Sequence, residues 1–245
     1  MSEQRKIALI TGANKGIGFE IARQLGTQGI IILAGVRDQE RGEAAVQKLR
    51  AASIDACAIQ LDVTSQATID EAAAFIDKRY GKLDILVNNA GISVREGGML
   101  PSELAIENAR ETFDTNVFGV FAVTKAMLPL LRRSEAGRIV NMSSEMGSLT
   151  VNSDPTSFAA NMPPTLAYNA SKTALNALTV FFAKELRNTH IKINSVSPGY
   201  VATDLNGHSG FLTPEQGAKI PVAFATLSAD GPTGGFFGEN GAIAW

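Results

Sequence analysis

The fold is decided by Thr11-Gly12-Ala13-Asn14-Lys15-Gly16-Ile17-Gly18, whose glycines follow the spacing G-x-x-x-G-x-G. This stretch comes directly after an apolar run at residues 7–10 and opens an amphipathic stretch at residues 16–28, so it joins a predicted strand to a predicted helix. Glycines permit a tight turn there, and they let backbone N–H groups approach a pyrophosphate at the start of the helix. The context predicts a dinucleotide site, and the alternative is a glycine-rich turn without a ligand.

Short apolar runs alternate with amphipathic stretches beyond this loop as well. The predicted strands lie at residues 7–10, 30–36, 56–61, 83–87, 138–142 and 191–196. The predicted helices lie at residues 16–28, 39–51, 66–79, 102–133 and 164–187. Repeated strand–helix units indicate the α/β class: a single doubly wound parallel sheet of the Rossmann type, flanked by helices on both faces.

No linker divides the chain, so residues 1–245 are predicted to form a single dinucleotide-binding domain. Two stretches rich in Gly, Pro or Ser interrupt the pattern and are predicted to be loops. One is an insertion around residues 150–164, and the other is a substrate lid around residues 204–221. Loops of this length in a compact domain are often functional.

Composition and charge exclude several classes of protein. The net charge is −2 and no basic stripe is present, so neither nucleic acid nor a membrane surface is expected as a partner. No apolar run is long enough to span a bilayer, and the first residues lack the apolar core of a signal peptide. Cys57 is the single cysteine, and His190 and His208 are the only histidines, so we expect no metal site and a cytoplasmic location.

The residues after the second predicted strand indicate which nucleotide is bound. Arg37 stands at the tip of that strand, and Lys15 stands in the glycine loop. Two cations suit a 2′-phosphate, which favours NADPH/NADP+ over NAD. Asp38 adjoins Arg37 and could hold a ribose diol instead, so a dual-cofactor interpretation stays open. Arg37 could also be a surface arginine that caps the next helix.

Tyr168 and Lys172 form the chemical end of the predicted site. They are four residues apart in a predicted helix, which puts them one turn apart on one face. A lysine ammonium beside a phenol favours the phenolate, so Lys172 is expected to lower the pKa of Tyr168. A tyrosine tuned in this way can exchange a proton with a carbonyl or alcohol oxygen.

Taken in order, these motifs resemble those of the short-chain dehydrogenases/reductases over nearly the whole chain. The correspondence includes the TGxxxGxG loop at 11–18, the NNAG motif at 88–91, the serine strand at 141–144, the YxxxK motif at 168–172 and the PGxxxT segment at 198–203. Within the family, the resemblance is strongest to the NADPH-dependent carbonyl reductases. It rests there on Asn14-Lys15, on Val36-Arg37-Asp38 and on the long stretch before Tyr168.

The resemblance assigns roles to individual residues. The implied catalytic residues are Asn116, Ser144, Tyr168 and Lys172. The implied cofactor contacts are Gly12, Asn14, Lys15, Gly16, Ile17, Gly18, Arg37, Asp62, Val63, Asn89, Ala90, Gly91, Tyr168, Lys172, Pro198, Gly199, Val201 and Thr203. The substrate is expected to meet Glu145, Met146 and Tyr200, with Arg95 after the NNAG motif.

The implied reaction is the NADPH-dependent reduction of a ketone or aldehyde to an alcohol by hydride transfer. Tyr168 would donate the proton, Ser144 would orient the carbonyl, and Asn116 would hold a water that relays protons. Ser143 competes with Ser144, because strand alternation lets only one of the two face the pocket.

Two alternatives remain open: a 3-oxoacyl-carrier-protein reductase and a non-catalytic NADP-binding regulatory protein. Because both Tyr168 and Lys172 are present, the regulatory interpretation is disfavoured. The interval between Ser144 and Tyr168 is longer than is usual in the family, which leaves monomer and homo-oligomer both open.

Overall fold

The described part of the molecule is built around an eight-stranded sheet. The computed structural model describes residues 5–94 and 100–245. The strands are β1 (Ile7–Thr11), β2 (Ile31–Val36), β3 (Ala56–Gln60), β4 (Ile85–Asn88), β5 (Arg138–Met142), β6 (Lys192–Val196), β7 (Phe236–Gly238) and β8 (Gly241–Ala242). Their order across the sheet is β3-β2-β1-β4-β5-β6-β7-β8. Neighbouring strands from β3 to β7 run parallel, whereas β7 and β8 pair antiparallel.

Helices connect the strands and cover the sheet. They are α1 (Gly16–Gly26), α2 (Gln39–Ala51), α3 (Gln66–Tyr80), α4 (Ile106–Phe113), α5 (Val120–Leu131), α6 (Leu149–Ser153), α7 (Leu166–Glu185), α8 (Pro214–Gly217) and α9 (Lys219–Ala225). A π-helical segment, Asp114–Gly119, joins α4 to α5. Short 3₁₀ turns lie at Glu145–Gly147, Phe158–Asn161 and Asp204–Asn206.

Side-chain alternation along the strands gives the sheet two apolar faces. One face carries a row of aliphatic side chains in register across five strands, and helices α3, α5 and α7 pack on it. That row consists of Leu33, Leu9, Leu86, Ile139 and Ile193. The other face, which includes Ile10 and Val87, is covered by α1, α2 and α9. Strand β2 reads as an unbroken apolar run because both of its faces are buried.

The predicted fold class is confirmed, with one correction at the edge of the sheet. The six predicted strands are all present, but β7 and β8 were not predicted, and β8 makes the sheet mixed rather than purely parallel. A turn of only two residues, Glu239 and Asn240, separates β7 from β8. So short a connection permits only antiparallel pairing, and Gly241 takes a positive φ of 103° to close it.

The strand order places the functional segments at one edge of the sheet. The chain winds outward in both directions from β1 and β4, which are parallel neighbours. The carboxyl ends of parallel strands share an edge, and ligands of such sheets bind where the winding reverses. The glycine loop after β1 and the Asn89–Gly91 segment after β4 therefore meet at this point.

Candidate active site

The glycine loop after β1 leaves room for a ligand at the start of α1. Gly12 and Gly16 have φ values of 67° and 56°, which L side chains rarely adopt. A Cβ on Gly18 would lie only 2.4 Å from both Asn89 Nδ2 and Gly12 O. Lys15 precedes the helix and makes no side-chain cap, so the first N–H groups of α1 are left for an anion. These features suit the pyrophosphate of a dinucleotide.

Thr11 fastens this loop to the segment after β4. Its hydroxyl oxygen accepts the backbone N–H groups of Asn89 and Ala90, each at 3.0 Å. In return, the Asn89 side-chain amide donates to Thr11 O at 2.9 Å and to Gly12 O at 3.2 Å. Thr11 is only 2% exposed, so these bonds are shielded from water. Thr11 was part of the predicted motif, but its role in joining two loops was missed.

Gly91 brings the next two predicted residues together. A Cβ built on Gly91 would lie 3.3 Å from Asn116 Oδ1 and 3.5 Å from Lys172 Nζ. Asn116 is fully buried in the π-helical segment, where its amide accepts from Ile92 N and donates to Ile92 O, both at 2.9 Å. The same amide donates to Ser171 Oγ at 3.0 Å. Sequence reasoning missed Ser171, which lies inside the YxxxK motif next to Lys172.

Ser143 and Ser144 follow β5 and have different surroundings. Ser143 is buried and donates to Asn176 Oδ1 at 2.7 Å, within the packed interface with α7. Ser144 is half-buried; its hydroxyl oxygen accepts Met146 N–H at 3.2 Å and interacts with the Tyr168 hydroxyl. Since successive side chains point to opposite sides, Ser144 is the serine that faces Tyr168.

Tyr168 and Lys172 occupy the first two turns of α7. Lys172 Nζ donates to Met142 O at 2.8 Å and lies 5.5 Å from the centre of the Tyr168 ring. The lysine is only 5% exposed, and this burial lowers the pKa of Lys172 to about 8.

Burial also determines the direction in which the pKa of Tyr168 shifts. It raises the pKa of Tyr168 above its ordinary value, and the hydrogen bond with Ser144 opposes that rise. The expectation that Lys172 lowers the pKa of Tyr168 is therefore wrong for this geometry, because removal from water outweighs the other effects on both groups. The residue as a whole keeps partial exposure.

The predicted nucleotide-selecting residues lie at the ends of β2 and β3. Arg37 is exposed directly after β2. Asp38 caps α2 by accepting Arg41 N–H at 3.1 Å, and it pairs with the Arg41 guanidinium at 3.3 Å. The Asp62 carboxylate accepts both the N–H and the hydroxyl of Thr64, at 2.9 and 2.7 Å. Asp38 is thus engaged in capping, and Arg37 is the group that faces solvent at the strand tip.

The 198–203 segment returns the chain to the glycine loop. A Cβ on Gly16 would lie 3.7 Å from Thr203 Cγ2. Lys15 forms an ion pair with Asp204, which also pairs with His208 at 2.8 Å. Sequence reasoning missed Asp204, although it stands one residue after the PGxxxT segment. Lys15 therefore bridges the glycine loop and the predicted lid.

The remaining predicted cofactor residues lie around the same edge. Asn14 is in the loop itself, Ile17 packs from α1 against the sheet, and Val63 is buried after β3. Pro198 and Gly199 follow β6, and Gly199 has a φ of 80°. Val201 is buried under the lid, where Gly217 packs against it.

The predicted substrate residues differ in exposure and in their contacts. Glu145 and Met146 form the 3₁₀ turn after Ser144 and are half-buried. Tyr200 is exposed, its hydroxyl lies 2.5 Å from Ser209 Oγ, and its ring meets Phe211 edge-on at 5.9 Å. Arg95 lies outside the described residues.

Residues 150–164 contain short helical elements, although a loop was predicted there. Helix α6 and the turn at Phe158–Asn161 fall largely in this stretch. Thr150 donates its N–H and its hydroxyl to Trp245 O, at 3.0 and 2.7 Å, and Ser148 donates to Ala244 O at 2.6 Å. The Trp245 ring stacks on Phe236 at 5.8 Å. The segment after Ser144 is thus tied to the far edge of the sheet.

Residues 5–94 and 100–245 contain neither a candidate metal-binding cluster nor a helix that could span a membrane. No cluster of three or more His, Cys, Asp or Glu side chains in these ranges could hold a metal ion. Among the helices of the same ranges, none has the length and apolar character needed to cross a bilayer.

Comparison with known proteins gives consistent matches. Residues 6–210 match the short chain dehydrogenase family. A protein from Saponaria officinalis named short-chain dehydrogenase/reductase 1 is 36% identical, over 97% of this chain and 95% of that protein. Carbonyl reductase [NADPH] 1 of Mus musculus is 35% identical over the full length of both chains. The structure of an NADPH-bound carbonyl reductase from chicken fatty liver superposes with a TM-score of 0.86 at 27% identity, covering 99% of this chain and 100% of that one.

Proposed function

The chain belongs to the short-chain dehydrogenase family, and from this we propose that it reduces a ketone or aldehyde to an alcohol with NADPH as the reductant. One observation carries the proposal: the Ser144 hydroxyl and the Tyr168 phenol meet beside Lys172, at the edge of the sheet where the glycine loop lies. Two oxygen-bound protons beside a dinucleotide cleft suit a carbonyl oxygen that gains negative charge.

When bound, NADPH supplies the hydride. The residues that would hold it are the glycine loop, the Asn89–Gly91 segment, Asp62 with Val63, the 198–203 segment and Arg37. Arg37 is proposed to meet the 2′-phosphate, because no carboxylate of the described residues pairs with it and Asp38 is engaged in capping α2. The carbonyl reductase [NADPH] of Mus musculus supports the same choice of nucleotide.

Tyr168 is proposed as the proton donor. Because burial raises the pKa of Tyr168, the phenol keeps its proton at neutral pH and is ready to give it to the substrate oxygen. Ser144 already accepts Met146 N–H, which fixes its oxygen and leaves its own proton to donate. Together the two groups orient the carbonyl and stabilise charge on its oxygen.

Lys172 and Asn116 are proposed to return a proton to Tyr168. With its pKa lowered to about 8, Lys172 exchanges protons readily near neutral pH. The Asn116 amide has both of its N–H groups committed, to Ile92 O and to Ser171 Oγ. Its Oδ1 accepts Ile92 N–H and retains a second lone pair, where a relay water fits.

The proposal extends to the organisation of the chain. Residues 1–245 are proposed to act as one NADP-binding domain, in which residues 204–221 form the substrate lid and residues 150–164 an insertion. Its substrate is proposed to be a small molecule, and its location is proposed to be the cytoplasm.

The test is Tyr168→Phe, assayed by NADPH oxidation over a panel of ketones, aldehydes and 3-oxoacyl thioesters. We expect kcat/KM to fall by about 10²- to 10⁴-fold, because the proton donor is lost. NADPH affinity, measured by fluorescence titration, should stay within about twofold. Tyr80→Phe is the matched control. Tyr80 is the last residue of α3, and its hydroxyl contacts Cys57 of β3 away from the proposed site. Undiminished turnover by Tyr168→Phe would overturn the mechanism, and activity confined to the thioesters would favour the carrier-protein reductase.

The nucleotide is tested separately with Arg37→Ala. We expect the ratio of kcat/KM for NADPH to that for NADH to drop about tenfold, which corresponds to about 1.4 kcal/mol of lost phosphate binding. Arg41→Ala is the control, because Arg41 is a neighbouring cation that already pairs with Asp38. A parent enzyme that prefers NADH would contradict the assignment.

A further inference from the structure

Glu145 follows the proposed catalytic serine, Ser144, directly, and its carboxylate has no partner among the described residues. The residue is half-buried. No hydrogen bond or ion pair reaches its carboxylate from the described residues, and the removal from water raises the pKa of Glu145. Half-buried charges are normally paired, so an unpaired one next to reacting groups calls for a functional explanation.

The position of the carboxylate is set by three strand ends. The Glu145 backbone N–H donates to Ser197 Oγ at 3.3 Å, at the end of β6. Its side chain continues toward the end of β7, where a Cβ on Gly238 would lie 3.4 Å from Glu145 Oε1. Strands β5, β6 and β7 are parallel neighbours, so the carboxylate lies on the same edge of the sheet as Ser144.

The surroundings of Glu145 do not require a charge for packing. The same Cβ on Gly238 would lie 3.0 Å from Ile243 Cδ1, so an aliphatic side chain borders the carboxylate. An apolar residue of similar size would fill this position without a desolvation cost. The charge is therefore better explained by a ligand than by the fold.

We propose that Glu145 makes the cleft select carbonyl substrates that carry a protonated amine a few bonds from the carbonyl carbon. The inference rests on the proposed function, since Ser144 and Tyr168 would fix the carbonyl end. The carboxylate lies near the end of β7, so a substrate that is held at Ser144 and extends along this edge of the sheet toward β7 would meet it. An ammonium group there supplies the missing partner, and an anionic substituent is repelled.

The experiment compares two ketones of one shape with three proteins. One is an aryl ketone that ends in a dimethylammonium group, and the other is its isostere that ends in isopropyl. The wild type should favour the ammonium ketone in kcat/KM by about tenfold or more, mainly through KM. Glu145→Gln should bring the ratio close to one, because the preference for the ammonium ketone is lost. Glu239→Gln, an exposed carboxylate after β7, should leave the ratio as in the wild type.

Several outcomes of this comparison would overturn the proposed role of Glu145. A wild type that treats both ketones alike, or that prefers the isopropyl ketone, overturns the proposal without the use of any variant. Equal effects of Glu145→Gln and Glu239→Gln overturn it as well, because a general negative field then explains the preference. Glu145→Asp keeps the charge and should retain part of the preference, which covers a folding defect in the Gln variant. If neither ketone is reduced by any protein, it is the proposed function that fails.

Discussion

Lys172 shows how burial changes the pKa of a single side chain. Its ammonium sits among packed atoms with a backbone carbonyl, Met142 O, as its hydrogen-bond partner. Burial brings the pKa of Lys172 down to about 8, from an ordinary value near 10.5. The charged form is therefore disfavoured in the folded protein and not in the unfolded chain.

This difference predicts how stability depends on pH without added cofactor. Below pH 8 both states hold the proton, and the fold bears the full cost of the buried charge. Between pH 8 and about 10 the unfolded chain binds more protons than the fold, so stability rises with pH. Relative to Lys172→Met, the wild type should gain up to about 3 kcal/mol over this window.

Urea unfolding of both proteins at pH 7, 8, 9 and 10 measures that gain. Any constant loss from the unpaired Met142 carbonyl shifts the Lys172→Met values equally at every pH, so the slope carries the information. Parallel stability curves for the two proteins would show that Lys172 titrates normally.

Site residues that belong to a sequence motif could be predicted. Site residues that are defined only by a contact with a distant part of the chain could not. The placement of Tyr168 and Lys172 on one face follows from helix periodicity. Strand alternation requires only that one of two neighbouring serines face the pocket, and the family resemblance favours Ser144. Asp204 and Ser171 have no such signature, because their partners Lys15 and Asn116 are distant in sequence. The direction of the Tyr168 pKa shift was missed because burial of the phenol is not visible in a linear sequence.

At the scale of elements, Thr11 connects the loop after β1 to the loop after β4 through hydrogen bonds to its hydroxyl oxygen. Thr11→Val keeps the shape but removes the oxygen that accepts Asn89 and Ala90 N–H. Unpaired, half-buried N–H groups cost about 1–3 kcal/mol each, so we expect a loss of about 2–4 kcal/mol in unfolding free energy. We also expect weaker NADPH binding, since the loop loses its anchor.

Thr11→Ser is the matched control, because it keeps the hydroxyl. Urea unfolding and NADPH titration of both variants separate the two effects. If Thr11→Val and Thr11→Ser weaken NADPH binding equally, the hydroxyl has no part in shaping the loop.

The regular elements were predicted better than the irregular ones. The six longer strands were found because each is a short, largely apolar stretch between predicted helices or loops. Strand β7 has three residues and β8 has two, too few to show a period. Helix α8 had a readable signal that was overlooked: Thr213 and Gln216 form a capping box with a proline at the first helical position. The π-helical turn at Asn116 depends on tertiary contacts and leaves no pattern in the sequence.

At the scale of the whole molecule, the two edges of the sheet have different roles. The carboxyl edge holds the candidate site, whereas the amino edge is held together by Arg138 at the start of β5. Its guanidinium is 4% exposed and donates to Leu227 O and Gly137 O at 2.8 Å, to Ser228 O at 3.1 Å and to His190 O at 3.2 Å. One side chain thereby joins three separate loops.

Arg138→Met should lower stability without altering catalysis. We expect a loss of about 2–4 kcal/mol, because several buried carbonyls lose their donor. KM for NADPH and for substrate should be unchanged at a temperature where the variant is folded, since the opposite edge is untouched. Thermal unfolding and steady-state kinetics measure the two quantities.

Arg132→Met serves as the control for that variant. Arg132 is an exposed arginine that pairs with Glu185, so its removal should change stability by less than about 0.5 kcal/mol. Equal destabilisation by the two variants, or a large change in KM with Arg138→Met, would contradict the separation of the two edges.

Thr150 is hydrogen-bonded to Trp245, so the fluorescence of this tryptophan can report on the segment that follows Ser144. The sequence contains a single tryptophan, so all indole emission arises from Trp245. Its ring stacks on Phe236, and its carbonyl oxygen is held by the segment that follows Ser144. Indole emission overlaps the absorption of a reduced nicotinamide, so energy transfer and quenching register events in the cleft. Stopped-flow fluorescence can then time the arrival of nucleotide and substrate in the unlabelled wild-type protein.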